Sequence, residues 1–140
     1  MRNIKFRHFD TRHNEMRYSD KHDGEFYINL KGVLYMYAIP KSESGLSTEY
    51  YKSYDVMQYT GLKDKNGVEI YEGDIVECTH SEDGDVNTGF IKWGNEYPAF
   101  DVFDKNFKNE LTFLSEYNIL TCPDYEFEVI GNIHENPDML

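Results

Sequence analysis

Apolar and polar residues alternate at the start of the chain, and a second stretch within the first 40 residues is rich in aromatic and aliphatic residues. The segment NIKFRHFD places Ile4, Phe6 and His8 on one face of an extended chain, and TRHNEMRYS follows after turn-forming residues. The segment GEFYINLKGVLYMYAIP offers a second hairpin with its bend at Lys31-Gly32, in which Tyr27, Leu30, Val33, Tyr35 and Tyr37 are available to pack across the strands. We therefore expect two β-hairpins within residues 1–40.

The central part of the chain combines a polar stretch with two tight-turn signals. The segment KSESGLSTEYYKS is polar and follows Pro40, which predicts a loop or linker over residues 41–53. Beyond it, DVMQYTGL has the composition of a strand that enters a turn, and DIVECTH that of a strand that leaves one. Asn66-Gly67 suits a bend with positive φ, and Gly73-Asp74 begins the exit strand.

The residues around the first turn have two interpretations. Gly and Asn in turns usually serve backbone geometry, so these residues are expected to hold neighbouring strands in register. The alternative is a ligand-binding loop made of Asp64, Lys65, Asn66 and Glu69.

The segments SEDGDVNTG, FIKWG, NEYP and AFDVFD alternate between turn and strand composition. This pattern predicts an antiparallel meander with the short strands of a small barrel. In the next segment, KNFKNELTFLSEYNI, Phe107, Leu111 and Leu114 fall at helical spacing and favour a helix of one or two turns. The sequence LTFL within it also fits a short strand.

The carboxyl-terminal segment YEFEVIGNIHENPDML predicts a closing strand and then a turn at Gly131-Asn132. Met139 and Leu140 are apolar, and we expect them to dock because an unattached tail is more often polar.

These elements together predict a mainly β fold, with a minor α component of at most one short helix. Antiparallel hairpins and a small barrel-like sheet make up its architecture. The chain of 140 residues has the size of one domain, and its 12 Tyr, nine Phe and one Trp favour pleated, half-buried surfaces. We expect a single domain over residues 1–140, with hairpins over 1–40, the loop over 41–53, and a barrel-like meander with the closing strand over 54–140.

The chain has a formal net charge of −12, which disfavours general binding to phosphate backbones or anionic lipid. Its basic residues are concentrated at the amino terminus, where residues 1–22 carry a net +3 and the rest carries −15. A basic segment on an acidic body predicts contact with a neighbouring copy or with the body itself. The alternative is a nucleic-acid contact. The basic residues of this segment are Arg2, Lys5, Arg7, Arg12, Arg17 and Lys21.

The sequence has neither an apolar run as long as a membrane span nor the apolar segment of a signal peptide, so we expect a cytoplasmic protein that does not contact membranes. In that compartment Cys78 and Cys122 should be reduced thiols. Together with His80 they are the candidates for a zinc site, but paired metal-ligand motifs are missing. A buried Cys is ordinarily a small hydrophobe, so no metal or other cofactor is expected.

The acidic segment SEDGDVNTG offers Glu82, Asp83 and Asp85 as calcium ligands, although it lacks the spacing and the closing Glu of an EF-hand loop. A solvated turn is the preferred interpretation. Motifs for nucleophilic catalysis or for phosphate binding are also missing, so we do not expect an enzyme or catalytic residues. A small hydrolase or metal-dependent enzyme is the weakest of the hypotheses.

Three segments of the sequence resemble the three blocks of the YopX family, which comprises small proteins encoded in bacteriophages and prophages of Bacillus and many other bacteria. They are IKFRHFDTRHNEM, MQYTGLKDKNGVEIYEGDIV and EVIGNIHENPDML. The family commonly has Trp at the position of Phe9 and Tyr at that of His134, and both differences keep a planar side chain. The resemblance implies a mainly β fold and a homo-oligomer, with no established activity and no catalytic residues.

The resulting functional hypothesis is a non-enzymatic, oligomeric protein-binding module encoded by a phage or prophage, acting in the bacterial cytoplasm. Its partners would be copies of itself or a host or phage protein. Tyr supplies amphipathic contact area, so two tyrosines join the basic residues in the candidate interface, which consists of Arg2, Lys5, Arg7, Arg12, Tyr35 and Tyr37. The alternative is a nucleic-acid-binding small β-barrel whose contacts would be Arg2, Lys5, Arg7, Arg12, Arg17 and Trp93.

Overall fold

The structure, a computed structural model, describes residues 3–21, 25–28, 34–38, 49–53, 55–94, 99–104 and 122–140. These residues form mainly β-strands that pair in antiparallel fashion, as the sequence predicted, and one of the antiparallel sheets curls into a half-barrel. Among the residues described, no helix is long and apolar enough to cross a membrane. Two compact units divide the chain, one over Asn3–Gln58 and the other over Tyr59–Leu140.

The first unit contains both hairpins that the sequence predicted. In the first hairpin, a turn in which Asn14 has a φ of 54° joins the two strands, and Asn tolerates that conformation better than most residues. The second hairpin continues into a three-stranded sheet whose central strand is β4. The strands of this unit are β1 (Phe6–Asp10), β2 (Glu15–Tyr18), β3 (Glu25–Ile28), β4 (Leu34–Ala38) and β5 (Glu49–Ser53).

The strand β6 (Val56–Lys63) begins in the first unit, where its residues 56–58 pair with β1. Its later residues belong to the second unit and pair with β7 through Tyr59 and Lys63, with an irregularity between these two pairs. The second unit also contains a four-stranded sheet in the order β10-β9-β8-β11. The remaining strands are β7 (Glu69–Tyr71), β8 (Asp74–His80), β9 (Val86–Trp93), β10 (Phe100–Asp104) and β11 (Tyr125–Asn132).

Apolar side chains cover both faces of the sheet formed by β8 to β11. Neighbouring residues on a strand point to opposite faces, and Ile75 and Val76, both fully buried, belong to two different core clusters. The first cluster contains Ile70, Val76, Cys78, Ile91, Phe100, Val102 and Phe127. The second contains Ile75, Phe90 and Phe103, against which Ile130, Ile133 and Leu140 pack.

Some elements differ from the predictions. The predicted loop over residues 41–53 ends in strand β5, because Tyr50 and Tyr51 pair with Tyr37 and Met36 of β4 despite the polar composition around them. Strand β7 was not predicted, since its three residues are too few for a period to be visible. The predicted helix lies outside the described residues. At the terminus Leu140 docks as expected, but Met139 is 45% exposed.

Candidate functional site

The 64–68 turn is organised by the carboxylate of Asp64, a residue that is 7% exposed. One of its oxygens accepts hydrogen bonds from the backbone N–H groups of Asn66 and Val68, each at 2.8 Å. The turn also closes through its backbone, since Gly67 N–H donates to Asp64 C=O at 3.0 Å. Gly67 has a φ of 83°, a conformation that glycine adopts without strain.

The same turn is attached to strand β11, which is distant in sequence. The second carboxylate oxygen of Asp64 accepts the N–H of Val129 at 3.0 Å, and Lys65 N–H donates to Phe127 C=O at 2.9 Å. The Lys65 ammonium also pairs with the Glu128 carboxylate at 2.5 Å. Burial alone would raise the pKa of Asp64, but the hydrogen bonds that its carboxylate accepts from backbone N–H groups hold the pKa below the ordinary value.

The second turn of the central motif, Glu72-Gly73-Asp74, has a similar construction. Asp74 is 1% exposed, and its carboxylate accepts the N–H of Tyr71 at 2.7 Å. Gly73, with a φ of 80°, donates its N–H to Ile91 C=O at 2.8 Å and accepts the N–H of Ile133 at 2.9 Å. This turn therefore joins β9 to the segment that follows β11.

The carboxyl-terminal motif forms a third turn around Asn132. Its side-chain oxygen accepts the N–H groups of His134 and Glu135 at 3.1 and 2.9 Å. Its own N–H donates to Asn136 Oδ1 at 3.2 Å. A Cβ added to Gly131 would lie 2.6 Å from Asn136 Oδ1, so a larger residue there would displace the Asn136 side chain from its hydrogen bond with Asn132.

The polar side chains of these motifs thus bind backbone groups of the protein itself. In the proposed ligand loop, Asp64 and Lys65 contact β11, and Glu69 accepts the hydroxyl of Tyr71 at 3.0 Å, while Asn66 is exposed. A ligand would compete with these intramolecular bonds. The geometry therefore favours the interpretation in which the turns hold strands in register.

The basic residues of the amino-terminal segment lie in different environments. Lys5 pairs with Asp20 at 2.7 Å, Arg7 is 4% exposed on β1, and Arg12 is exposed. Arg17 pairs with Asp10 at 2.9 Å and with Glu15 at 2.8 Å. Arg2 lies outside the described residues. Two of the six basic residues, Lys5 and Arg17, are therefore matched by carboxylates of the same segment.

The aromatic candidates lie on different strands. Tyr35 and Tyr37 occupy the central strand β4, opposite Tyr27 and Glu25 of β3. Trp93 ends strand β9 in the second unit, and its indole is 45% exposed. The ring of Phe100 holds the indole in an edge-to-face contact, with centroids 4.9 Å apart and planes at 88°.

The three candidate zinc ligands are not arranged as a metal site. Cys78 is fully buried in the first core cluster, and burial, with the nearby charges of Asp101 and Glu77, raises its pKa to about 12. His80 pairs with Asp83 at 2.8 Å, and the Cys122 thiol donates to Asp124 at 3.7 Å. Within the part of the chain that the structure describes, no three His, Cys, Asp or Glu side chains group as metal ligands would.

The candidate calcium segment forms the turn between β8 and β9. Asp83 accepts the N–H of Asp85 at 3.2 Å and pairs with His80, and Glu82 is exposed. The hydrogen bond from Asp85 and the contact with His80 hold the pKa of Asp83 below its ordinary value. These interactions agree with the solvated turn that the sequence predicted.

Two buried carboxylates were not anticipated from the sequence. Asp10, 4% exposed, accepts the N–H groups of Arg12 and His13 at 3.0 and 3.3 Å, which is a pattern that an Asp before a turn could have indicated. Asp101, 5% exposed, accepts the N–H of Val102 at 2.8 Å. Its position in the middle of a strand gives no such signal.

These features define a mainly β protein whose best-marked motifs are turns that bind the protein's own backbone. The chain belongs to the YopX family, since the family model described as YopX protein matches residues 5–140. No curated protein matches the chain.

Two solved structures are similar over nearly the whole chain. The crystal structure of protein yopX from Bacillus subtilis has a TM-score of 0.65 and 17% identity, and covers 100% of this chain and 99% of that one. The structure of protein EF1440 from Enterococcus faecalis has a TM-score of 0.54 and 26% identity, and covers 99% and 98% of the two chains. The likeness to the Bacillus protein shows a shared fold.

Proposed function

We propose that this member of the YopX family is a non-enzymatic protein-binding module that assembles with copies of itself or with a host or phage protein. It would be encoded by a phage or prophage and act in the bacterial cytoplasm. The observation that carries the proposal is the exposed indole of Trp93, held by Phe100 at the end of β9. A large ring presented in a fixed orientation loses little freedom on binding, and Trp is enriched among residues that dominate protein interfaces.

The contacts of the motif residues support a proposed function that does not involve catalysis. Asp64, Asp74 and Asn132 each use side-chain oxygens to accept backbone N–H groups. A general acid or base must instead present its oxygen to a substrate. The features that identify the family therefore build the fold, and exposed side chains outside these turns are the better candidates for contact with a partner.

The amino-terminal segment supports the nucleic-acid alternative less well. Phosphate contacts need accessible cationic groups, but Lys5 and Arg17 have carboxylate partners and Arg7 is buried. The net charge of −12 also repels phosphate. Arg12 is exposed.

Trp93 is the only Trp in the sequence, so fluorescence excited at the long-wavelength edge of the spectrum, where the 12 Tyr absorb little, reports on this residue alone. The test follows the emission maximum and the molar mass of the full chain over a wide range of protein concentrations. We expect a multiple of the 16.5 kDa chain mass, and a blue shift of emission as the indole becomes buried. Raising the salt concentration should weaken the assembly if Arg12 contributes.

Trp93→Ala should lower the measured molar mass of the assembly. The matched control is Val86→Ala, which changes a 55% exposed residue at the other end of the same strand and should leave that mass unchanged. A monomer at every concentration would refute self-assembly. Quenching of Trp93 by oligonucleotides at low salt, lost as salt rises, would instead support the nucleic-acid alternative.

A further inference from the structure

Strand β11 lies at one end of the sheet order β10-β9-β8-β11, so one of its sides has no strand partner among the described residues. Ser81 N–H donates to Asp124 C=O at 2.8 Å, which fixes the positions that bond to β8. Backbone groups alternate in direction along an antiparallel ladder. The backbone N–H and C=O groups of Phe127 and Val129 therefore point away from β8, on the side where a further strand could pair.

The 64–68 turn occupies these outward positions. Phe127 C=O receives the N–H of Lys65 at 2.9 Å, and Val129 N–H is bound by the Asp64 carboxylate at 3.0 Å. The other oxygen of Asp64 accepts the N–H groups of Asn66 and Val68, which fixes the carboxylate within the turn and holds its second oxygen towards Val129. Lys65 adds an ion pair to Glu128 on the same strand.

A smaller device of the same kind occurs on β10, at the opposite end of the sheet. Gly94 N–H donates to Ala99 C=O at 2.7 Å, which fixes the positions of β10 that bond to β9. Because backbone groups alternate in direction along an antiparallel ladder, the N–H of Val102 points away from β9. That N–H is bound by the carboxylate of Asp101 at 2.8 Å. At both ends of this sheet, an aspartate thus accepts an outward N–H that an added strand would use.

We propose that the 64–68 turn prevents a strand of a second copy from adding to the β11 edge. The excluded occupant is an extended segment of the same chain, because a sheet edge pairs through backbone groups and needs no particular side chains. Copies of this chain would therefore assemble through surfaces other than the β11 edge. This inference does not depend on whether Trp93 contacts a partner.

The test compares two variants that differ in one backbone group. Lys65→Pro removes the N–H that binds Phe127, at the second position of a turn where Pro is favoured, and Lys65→Ala keeps that N–H while removing the same ion pair. Asp64→Asn, combined with Lys65→Pro, weakens the contact with Val129 as well. Sedimentation velocity gives the association, and circular dichroism verifies the fold.

We expect Lys65→Pro to self-associate at a concentration at least about tenfold lower than the wild type or Lys65→Ala does, and the double variant lower still. A folded Lys65→Pro protein that associates no more readily than Lys65→Ala would overturn the proposal. A measurement on the wild type tests it independently of the variants. Hydrogen exchange at Val129 should be slow and the same at all protein concentrations, whereas protection that appears only at high concentration would show an open edge that pairs with another copy.

Discussion

Gly89 lies in the middle of strand β9, where a glycine would ordinarily weaken the strand. The neighbouring strand explains its presence. A Cβ at this position would lie 2.5 Å from the backbone oxygen of Phe103 and 2.6 Å from Cγ1 of Val102, both on β10. Because one of these atoms is backbone, a side-chain rotation cannot relieve the clash, and Gly89→Ala must push β9 and β10 apart.

The cost can be estimated from two opposing effects. Overpacking by one methyl group in a well-packed core costs about 1–3 kcal/mol. Replacing Gly by Ala also restricts the unfolded chain, which favours folding by about 0.4–1 kcal/mol. Because the backbone of Phe103 cannot give way, the cost of overpacking falls in the upper half of its range, about 2–3 kcal/mol. The net loss for Gly89→Ala is therefore about 1–2.6 kcal/mol, which for a chain of this length lowers the Tm by roughly 3–9 °C.

Chemical denaturation with urea and a thermal melt followed by circular dichroism would measure this loss. Asn87→Ala is the matched control, since Asn87 is an exposed residue of the same strand and its replacement should change the free energy of unfolding by less than about 0.5 kcal/mol. The double variant Gly89→Ala/Val102→Ala should remain less stable than Val102→Ala, because the contact with Phe103 persists. A Gly89→Ala protein as stable as the wild type would refute the close approach of the two strands.

Three further predictions follow from the buried polar and thiol groups. Asp74→Ala leaves the N–H of Tyr71 buried without this acceptor and should lower the free energy of unfolding by about 1–3 kcal/mol. Asp138→Ala, which changes an exposed residue, should leave that free energy unchanged. Equal urea midpoints for the two variants would contradict this prediction. Iodoacetamide at pH 8 should label Cys122 well before Cys78, whose raised pKa and burial keep it a thiol; rapid labelling of Cys78 in the folded Cys122→Ser protein would oppose this. The pKa of Asp64 is lowered in the folded protein, so the stability that its carboxylate contributes is complete above the unfolded pKa of about 3.9 and disappears as pH falls through the folded pKa. The free energy of unfolding in urea should therefore depend less on pH in this range for Asp64→Asn than for the wild type. The same pH dependence in both proteins would count against a lowered pKa at Asp64.

Alternation predicted the first hairpin, because a half-buried strand repeats with period two. The bend and the aromatic residues around it predicted the second hairpin, and the aromatic composition predicted the mainly β fold, because aromatic side chains favour pleated surfaces. Strand β5 could not be predicted, since its pairing with β4 comes from tertiary context and outweighs the polar composition around it. Turn chemistry located the turns at Asn66-Gly67 and Gly73, and both glycines have a positive φ, whereas Asn66 does not. It could not reveal the bond from Asp64 to Val129, because 65 positions separate them and a single sequence contains no signal for that contact.

The candidate site was harder to predict for a related reason. The sequence treats every Lys or Arg as an exposed charge, yet the fold buries Arg7 and pairs Arg17 with Asp10. Only the three-dimensional arrangement shows which charges remain accessible. The basic segment therefore looked like one contact surface, although its residues lie in different environments.

The use of Asp64 by the fold limits where a partner can bind. A ligand of this carboxylate would have to replace the N–H groups of Asn66, Val68 and Val129, and each of these groups would lose a charge-assisted hydrogen bond of about 1.5–3 kcal/mol. It would also free the outward groups of β11 to pair with another strand. Binding at this turn would therefore weaken the sheet that it depends on, which favours exposed groups such as Trp93 for the partner surface that we propose.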